Sequence, residues 1–445
     1  MVTESVMQKM TVIRSMTEDR QLTAAARGPL ALAITSAMFV FAGIVFAGAA
    51  AADEPGYTVP SSASQPIQWR LIWTDDPATT AKISWSTQAA TKKNVVYLSA
   101  ADGTSRVVEA KKNGPYTSSK GSLHYHHAKV YGLEPGTRYE VTIESDSVRS
   151  PDFWFKTAST DDTPVRFLFG GDSRSDPAAR RQVNRLIAQL AERDPSIVCF
   201  AHGGDYINTG SSFAQWNQWM SDHEMTTLGS DDGRRLLPIV PARGNHDMGP
   251  LFNEVFGYSL DDGNYFAINI APQVRLITLN TEISAAGDQK KWLATELADA
   301  RKHNRFVVVQ YHRPVYPAVK SPGRGKQHWV PLFEEHNVDL VCEADGHSVK
   351  RTVPIRNDQH DPTGVVYIGE GGLGVPQRSP KVGRWFLKSP GMAGQGHHVH
   401  LLSFDAKKLQ GRAVGLDQQQ LDAFERAVRP RVFARLSLAS AQDQE

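Results

Sequence analysis

Cysteine is nearly absent: Cys199 and Cys342 are the two in a chain of 445 residues. A disulfide framework is thereby excluded, and with it the small stapled folds. Both stand in apolar runs, IVCF and DLVC, that read as strands, so buried free thiols are expected, with a single bridge as the other reading. An excess of charge of one sign is also missing. Lys and Arg number 49 against 47 Asp and Glu, a net charge of +2, which implies no broad basic surface for duplex nucleic acid. Repeats and low-complexity blocks are lacking too, which excludes solenoids and fibres. What is present is 40% hydrophobic and 22% charged residues, enough for one large domain or two ordinary ones.

A long uncharged apolar run does occur at residues 30–52, LALAITSAMFVFAGIVFAGAAAA, after Arg14, Arg20 and Arg27. A basic flank, an apolar core and a small-residue exit are the layout of a secretory signal, so residues 1–52 are expected to be a signal peptide cleaved after Ala52. About 20 apolar residues also suffice to span a bilayer, which makes an uncleaved N-terminal membrane anchor the alternative. Either way the rest of the chain is expected to be exported, periplasmic or extracellular. No cysteine ends the run, so lipid attachment has no chemical handle there.

Residues 60–157 carry short alternating segments, WRLIW, AKISWST, NVVYLS, HHAKVYGL, TRYEVTIES and FWFKT, broken by turn residues. Period-two alternation rich in Trp, Tyr, Val and Ile predicts a small antiparallel β-sandwich. His124, His126 and His127 have a spacing that tempts a metal reading, yet their segment offers no acidic or cysteine partner. Strand-surface or interdomain contacts are expected of them. Residues 158–163 are the linker.

The pattern changes in residues 164–418, where apolar strands alternate with helical stretches. VRFLFGGD is followed by a helix in which Val183, Leu186, Ile187 and Leu190 share one face. SIVCFAHGGD, RLLPIVPARGNHD, VRLITLNT, RFVVVQYH and VDLVCEADGH complete the strands, with helices QKKWLATELADARKH and HWVPLFEEH between them. Such alternation predicts a layered α/β domain with its site along one sheet edge. Residues 419–445 form a charged C-terminal tail, expected to be a surface helix, with a membrane-surface role as the weaker alternative.

Five strand ends carry Asp172; Asp205 and Asn208; Asn245, His246 and Asp247; His312; and Asp345 and His347. Any single Asp after a strand is more often a helix cap or turn former. A set distributed over five strand ends suits a pair of divalent ions sharing a bridging carboxylate.

These blocks carry a resemblance. HHAKVYGLEPGTRYEV in front, then GDSR, GGDYIN, GNHD, the QKKWL helix, YHRPVY and VDLVCEADGHSVKRTVP, resemble the calcineurin-like metallophosphoesterases, within them the purple acid phosphatases with their N-terminal fibronectin-like domain. The resemblance implies an α/β architecture in which the β-sandwich precedes a four-layer α/β/β/α metallophosphoesterase domain. It implies that Asp172 is a ligand of a first metal, Asp205 the bridge, and Asn245 and His312 ligands of a second. His246 resembles the histidine that protonates the leaving group, a role suited to imidazole near neutral pH. Asp247 is read either as orienting that loop or as a simple cap.

Two departures stand out. Where the family has a tyrosine ligand three residues after the bridging aspartate, this chain has Asn208, at most a weak ligand, so the purple colour of ferric tyrosinate is not expected. Where the family has G-H-x-H followed by Y-E-R-T, the gap-free register places Asp345 at the first histidine and His347 at the second. Asp345 then falls to the second metal and His347 to the first. An added carboxylate moves the preference toward Mn²⁺, Mg²⁺ or Fe²⁺ relative to zinc. Arg174 and Arg313 are the expected substrate contacts, with Lys320 and Lys326 as readily surface charges.

The implied activity is metal-dependent hydrolysis of a small phosphorylated substrate, a monoester, with a phosphodiesterase using the same centre as the alternative. A third reading, motivated by Asn208 and Asp345, is a non-catalytic exported binding protein with a degenerate metal site. No nucleic-acid partner is expected.

Overall fold

The computed structural model describes residues 58–429, apart from 228, 231, 232, 260 and 262. The export run 30–52 and the end of the tail lie outside the described residues. Among the described residues no helix is long and apolar enough to cross a membrane.

A β-rich front domain leads into an α/β domain built on two facing sheets. The first α/β sheet has Val165–Gly170, Ile197–His202 and Ile239–Pro241 at its centre, paired in parallel. The second runs Phe266–Ala271, Val274–Thr278, Phe306–Gln310, Leu340–Glu343, Val366–Gly369, Val349–Arg351, Met392–Gly394, and its Val274–Thr278 to Val366–Gly369 members are parallel.

Strand alternation produces the layers. In Val165–Gly170, Phe167 and Phe169 turn inward to meet Cys199, Ile268, Val308, Cys342 and Ile368 between the sheets. Leu168, on the other face, packs with Val183, Leu186 and Ile187 of helix Pro177–Arg193. In the second sheet Val308 and Cys342 face inward, while Val307, Val309 and Val341 face outward onto Leu293 and Leu297 of helix Asp288–His303. Both faces of each sheet are covered, which is why these strands read as continuous apolar runs. Cys199 and Cys342 are buried free thiols, and burial pushes the Cys199 thiol well up.

The front domain shares a sheet with its neighbour. Ile67–Ile72 pairs in parallel with Ile239–Pro241 at Ile72 and Ile239, so Ile67–Ile72, Ala81–Thr87, His124–Val130 and Lys112–Pro115 extend the first α/β sheet to ten strands. A second front sheet closes over Trp69, Trp85, Val96, Val141 and Phe153.

The histidine segment lies within this junction rather than on the surface. His126 hydrogen-bonds Asn113 and Thr87 through its two ring nitrogens, at 2.7 and 2.8 Å. His127 reaches across to the Glu254 carbonyl at 2.8 Å.

The tail corrects the helix expectation. Gln420–Ala427 is a strand, paired antiparallel along Lys408–Gly415. The neighbouring strand supplies backbone partners along its length, interrupted by one register shift between Ala413 and Val414, and Phe424 packs against the inter-sheet core. That tertiary gain overrides the helical propensity of LDAFERA.

Candidate metal centre

Three carboxylates and an imidazole meet where the strands end. One donor atom from each of Asp172, Asp205, His312 and Asp345 lies within 4.8 Å of the others, and all four residues are buried. They follow Val165–Gly170, Ile197–His202, Phe306–Gln310 and Leu340–Glu343. Asp172, Asp205 and Asp345 have φ of 58°, 59° and 68°, and His347 of 61°. A left-handed backbone at a non-glycine residue costs on the order of 1 kcal/mol or more, so its recurrence at one edge marks a place where turned side chains are needed. Glycines let the loops close in: a Cβ on Gly371 would lie 2.1 Å from Asp172 Oδ2, and one on Gly244 2.4 Å from Asp205 Oδ1.

Orientation comes from backbone anchors. His312 Nδ1 donates to the Gly203 carbonyl at 2.9 Å, since a carbonyl only accepts. Nε2 is left facing Asp205 Oδ1 at 3.2 Å, Asp345 Oδ1 at 3.5 Å and Asn245 Oδ1 at 3.1 Å. Such second partners fix ring orientation in histidines that bind metals. Burial opposes charge on this ring, yet Asp205 and Asp345 push the His312 imidazole well above its ordinary range. Carboxylates thus dominate the surroundings of this ring, and a bound cation would take the place of the Nε2 proton. Asp172 Oδ1 and Asp205 Oδ2 are buried and accept no hydrogen bond, although His347 Nε2 and Arg174 Nε lie 3.2 and 3.3 Å from them, so both oxygens keep lone pairs free for a cation. Hard oxygens plus imidazole are donors that divalent Mn, Fe, Mg and Zn accept. These residues fit a metal ion.

The remaining expected residues surround the group. His347 Nε2 lies 3.2 Å from Asp172 Oδ1, and its backbone N–H donates to the Glu370 carbonyl at 2.7 Å. His246 is partly exposed; its Nδ1 donates to the Asn208 carbonyl at 2.7 Å, and its Nε2 is 3.9 Å from Asp205 Oδ2. Asp247 is buried beneath the loop. One of its oxygens accepts the N–H groups of Asp205 and Gly244, each at 2.8 Å, and the other that of Tyr206 at 2.9 Å. It therefore ties the GGD loop to the GNHD loop.

The four cationic side chains have different partners. Arg174 lies in the centre, bonded to the Asn208 side-chain oxygen. Arg313 spreads its fork along Glu282 at 2.8 and 3.1 Å. Lys326 pairs with Asp358 at 2.9 Å. Lys320, equally readable as surface charge, is ion-paired with Asp345.

A buried charged network beneath the site has no signal in the strand-end pattern. Lys350, Glu343 and Glu370 are fully buried, and Lys350 Nζ meets both carboxylates and the Tyr316 carbonyl. Glu343 accepts from Val315 N–H and Tyr311 O–H, and Glu370 from Ala318 N–H. The loop after His312 is thereby fastened to the turn carrying Asp345 and His347.

Comparison with known proteins agrees with this geometry. Residues 66–157 match the family described as purple acid phosphatase, N-terminal domain, and residues 165–350 match calcineurin-like phosphoesterase. The chain carries a calcineurin-like metallophosphoesterase domain behind an N-terminal domain of purple acid phosphatase type. A Mycobacterium tuberculosis protein described as uncharacterized is 25% identical over 356 residues, covering 67% of this chain and 61% of that one. Purple acid phosphatase 23 of Arabidopsis thaliana is 26% identical over 359 residues, covering 65% and 76%. The match thus spans less than two thirds of the mycobacterial relative's length. Among solved structures, a purple acid phosphatase from yellow lupin (Lupinus luteus) seeds superposes with a TM-score of 0.69 at 15% identity, over 81% of this chain and 74% of that one. PhoD gives 0.59 at 11% identity, over 83% and 90%. At such identities the likeness is one of fold.

Proposed function

We propose that this chain is an exported phosphatase that hydrolyses small phosphate monoesters in a metal-dependent reaction, with His246 as general acid. The observation that carries it is the buried group of Asp172, Asp205, His312 and Asp345. By the resemblance, two divalent ions would be held, one by Asn245, His312 and Asp345 and one by Asp172 and His347, with Asp205 available to both. Ions held there supply Lewis acidity to phosphoryl oxygens and acidify water.

The chain's own residues do the rest. With Nδ1 tied to the Asn208 carbonyl, His246 holds its transferable proton on Nε2, the ring atom nearer Asp205, on a side chain open to solvent. From there it protonates the departing ester oxygen. Arg174 offers a planar fork to the phosphoryl group. Arg313 is paired with Glu282, outside the ligand group, whereas Lys320 and Arg174 reach Asp345 and Asp205 within it. Export rests on the apolar run 30–52 behind its basic flank.

The test is release of phosphate from p-nitrophenyl phosphate, with chelation and metal restoration as controls. Activity is expected to vanish with EDTA and return with Mn²⁺, Fe²⁺, Zn²⁺ or Mg²⁺. His246→Ala should lower kcat about 100-fold or more with metal content unchanged, the usual scale for acid–base assistance. Full activity in that variant would remove His246 from the reaction, and preferential turnover of bis-p-nitrophenyl phosphate would favour the diesterase.

A further inference from the structure

The two positions that depart from the family's ligands share a property: each is held by a cation reaching into the centre. Asn208, in place of tyrosine, accepts from Arg174. Asp345, in place of histidine, is paired with Lys320. The Arg174 side chain is 11% exposed; its Nε lies 3.3 Å from Asp205 Oδ2, and a terminal nitrogen lies 3.4 Å from His347 Nε2. The resemblance assigns the first ion to Asp172, Asp205, His347 and the residue at the tyrosine position. The guanidinium contacts three of those four, all but Asp172.

Charge points the same way. Tyrosinate to amide removes a negative charge, and Arg174 adds a positive one at that place. Histidine to aspartate adds a negative charge, and Lys320 cancels it. Asp172, Asp205 and Asp345 set against Arg174 and Lys320 leave one net negative charge among these groups. That suits one divalent ion and works against a second, because like charges a few ångströms apart in a buried site repel strongly.

We propose that the centre works with one tightly held divalent ion among Asp172, Asp205, His312 and Asp345, and that the Arg174 guanidinium takes the charge role of the other. The proposal rests on the metal-dependent reading above. An arginine suits the part: its charge is permanent, and its fork matches two phosphoryl oxygens at once.

Mn²⁺ titration of the whole chain tests it, with bound metal measured after desalting and the ion observed by electron paramagnetic resonance. The wild type is expected to hold one Mn²⁺ per chain and to show the six-line signal of an isolated ion. Arg174→Gln, checked for folding by circular dichroism, is expected to take up a second ion on the order of tenfold or more tightly than the wild type does, with six-line intensity lost to spin coupling. Two coupled ions in the wild type overturn the proposal and leave metal-dependent hydrolysis standing. No bound ion in the wild type overturns both. A single ion in both proteins overturns the part given to Arg174.

Discussion

Replacing Lys350 with methionine tests whether the buried network beneath the centre holds the site together. The substitution keeps most of the side-chain volume and deletes the ammonium group between Glu343 and Glu370, all three groups being fully buried. Removing one partner of a buried ion pair costs about 3–5 kcal/mol, because the other charge is left uncompensated. Burial already pushes the Glu370 carboxyl up to about 7 even with Lys350 beside it. Without Lys350 it will bind a proton at neutral pH, which limits its share and favours the lower figure, about 3 kcal/mol. At roughly 2 cal/mol/K of unfolding entropy per residue, a chain of this size has about 0.8 kcal/mol/K, so the melting temperature should fall by about 4 °C. A carboxyl whose folded pKa is raised contributes stability below its unfolded pKa and loses it as pH rises through the folded value. The deficit of Lys350→Met should therefore be smaller at pH 6 than at pH 8, and adding Glu370→Gln should recover part of it. Urea denaturation of the three proteins at both pH values makes the measurement. A Lys350→Met protein within 1 kcal/mol of wild type, or no recovery in the double variant, would refute the reasoning.

Gly371→Ala should weaken metal binding at least tenfold, since its Cβ would fall 2.1 Å from Asp172 Oδ2 at a residue whose φ is +85°; calorimetric Mn²⁺ titration measures it, and unchanged affinity would show that the carboxylate can shift freely. Acid should destabilise the protein through two buried histidines, His126 in the front domain and His223 at the end of helix Phe213–His223. Burial lowers His126 and His223 to about 3, so the stability they contribute is full above the unfolded pKa of about 6.5 and is lost as pH falls toward 3, about 2 kcal/mol each at pH 5. His126→Gln should flatten the change in unfolding free energy between pH 7.5 and pH 5 by about that amount, and an unaltered slope would rule the residue out.

The strand-end donors were legible because two simple rules coincide: strands buried on both faces read as apolar runs, and parallel α/β sheets put their polar groups at the C-terminal edge. The shared sheet was not legible, since Ile72 and Ile239 pair across 166 residues of intervening chain and alternation inside a strand says nothing about its partner. The strand Gln420–Ala427 was hidden for a related reason: a charged edge strand exposes enough polar side chain to mimic an amphipathic helix.

Buried charge was the deepest omission. HSVKRT offers no sign that its lysine is fully buried, because the carboxylates that receive Lys350 come from two other strands, joined where Glu343 pairs with Gly369. Lys320 is obscured in the same way, lying in a loop of glycine, proline and basic residues that reads as solvated until the fold sets it against Asp345. A motif comparison therefore registers Asn208 and Asp345 as two losses from a ligand set. In three dimensions each altered position instead meets a cationic side chain, Arg174 at Asn208 and Lys320 at Asp345, which is the redistribution of charge proposed above. A decayed site would have no reason to place a guanidinium against three members of one ligand set or an ammonium group against the substituted ligand. Uncompensated buried charge is costly to keep and easily lost. The charge added at Asp345 is met by Lys320, and the one lost at Asn208 is not left as a gap, since Arg174 occupies that place.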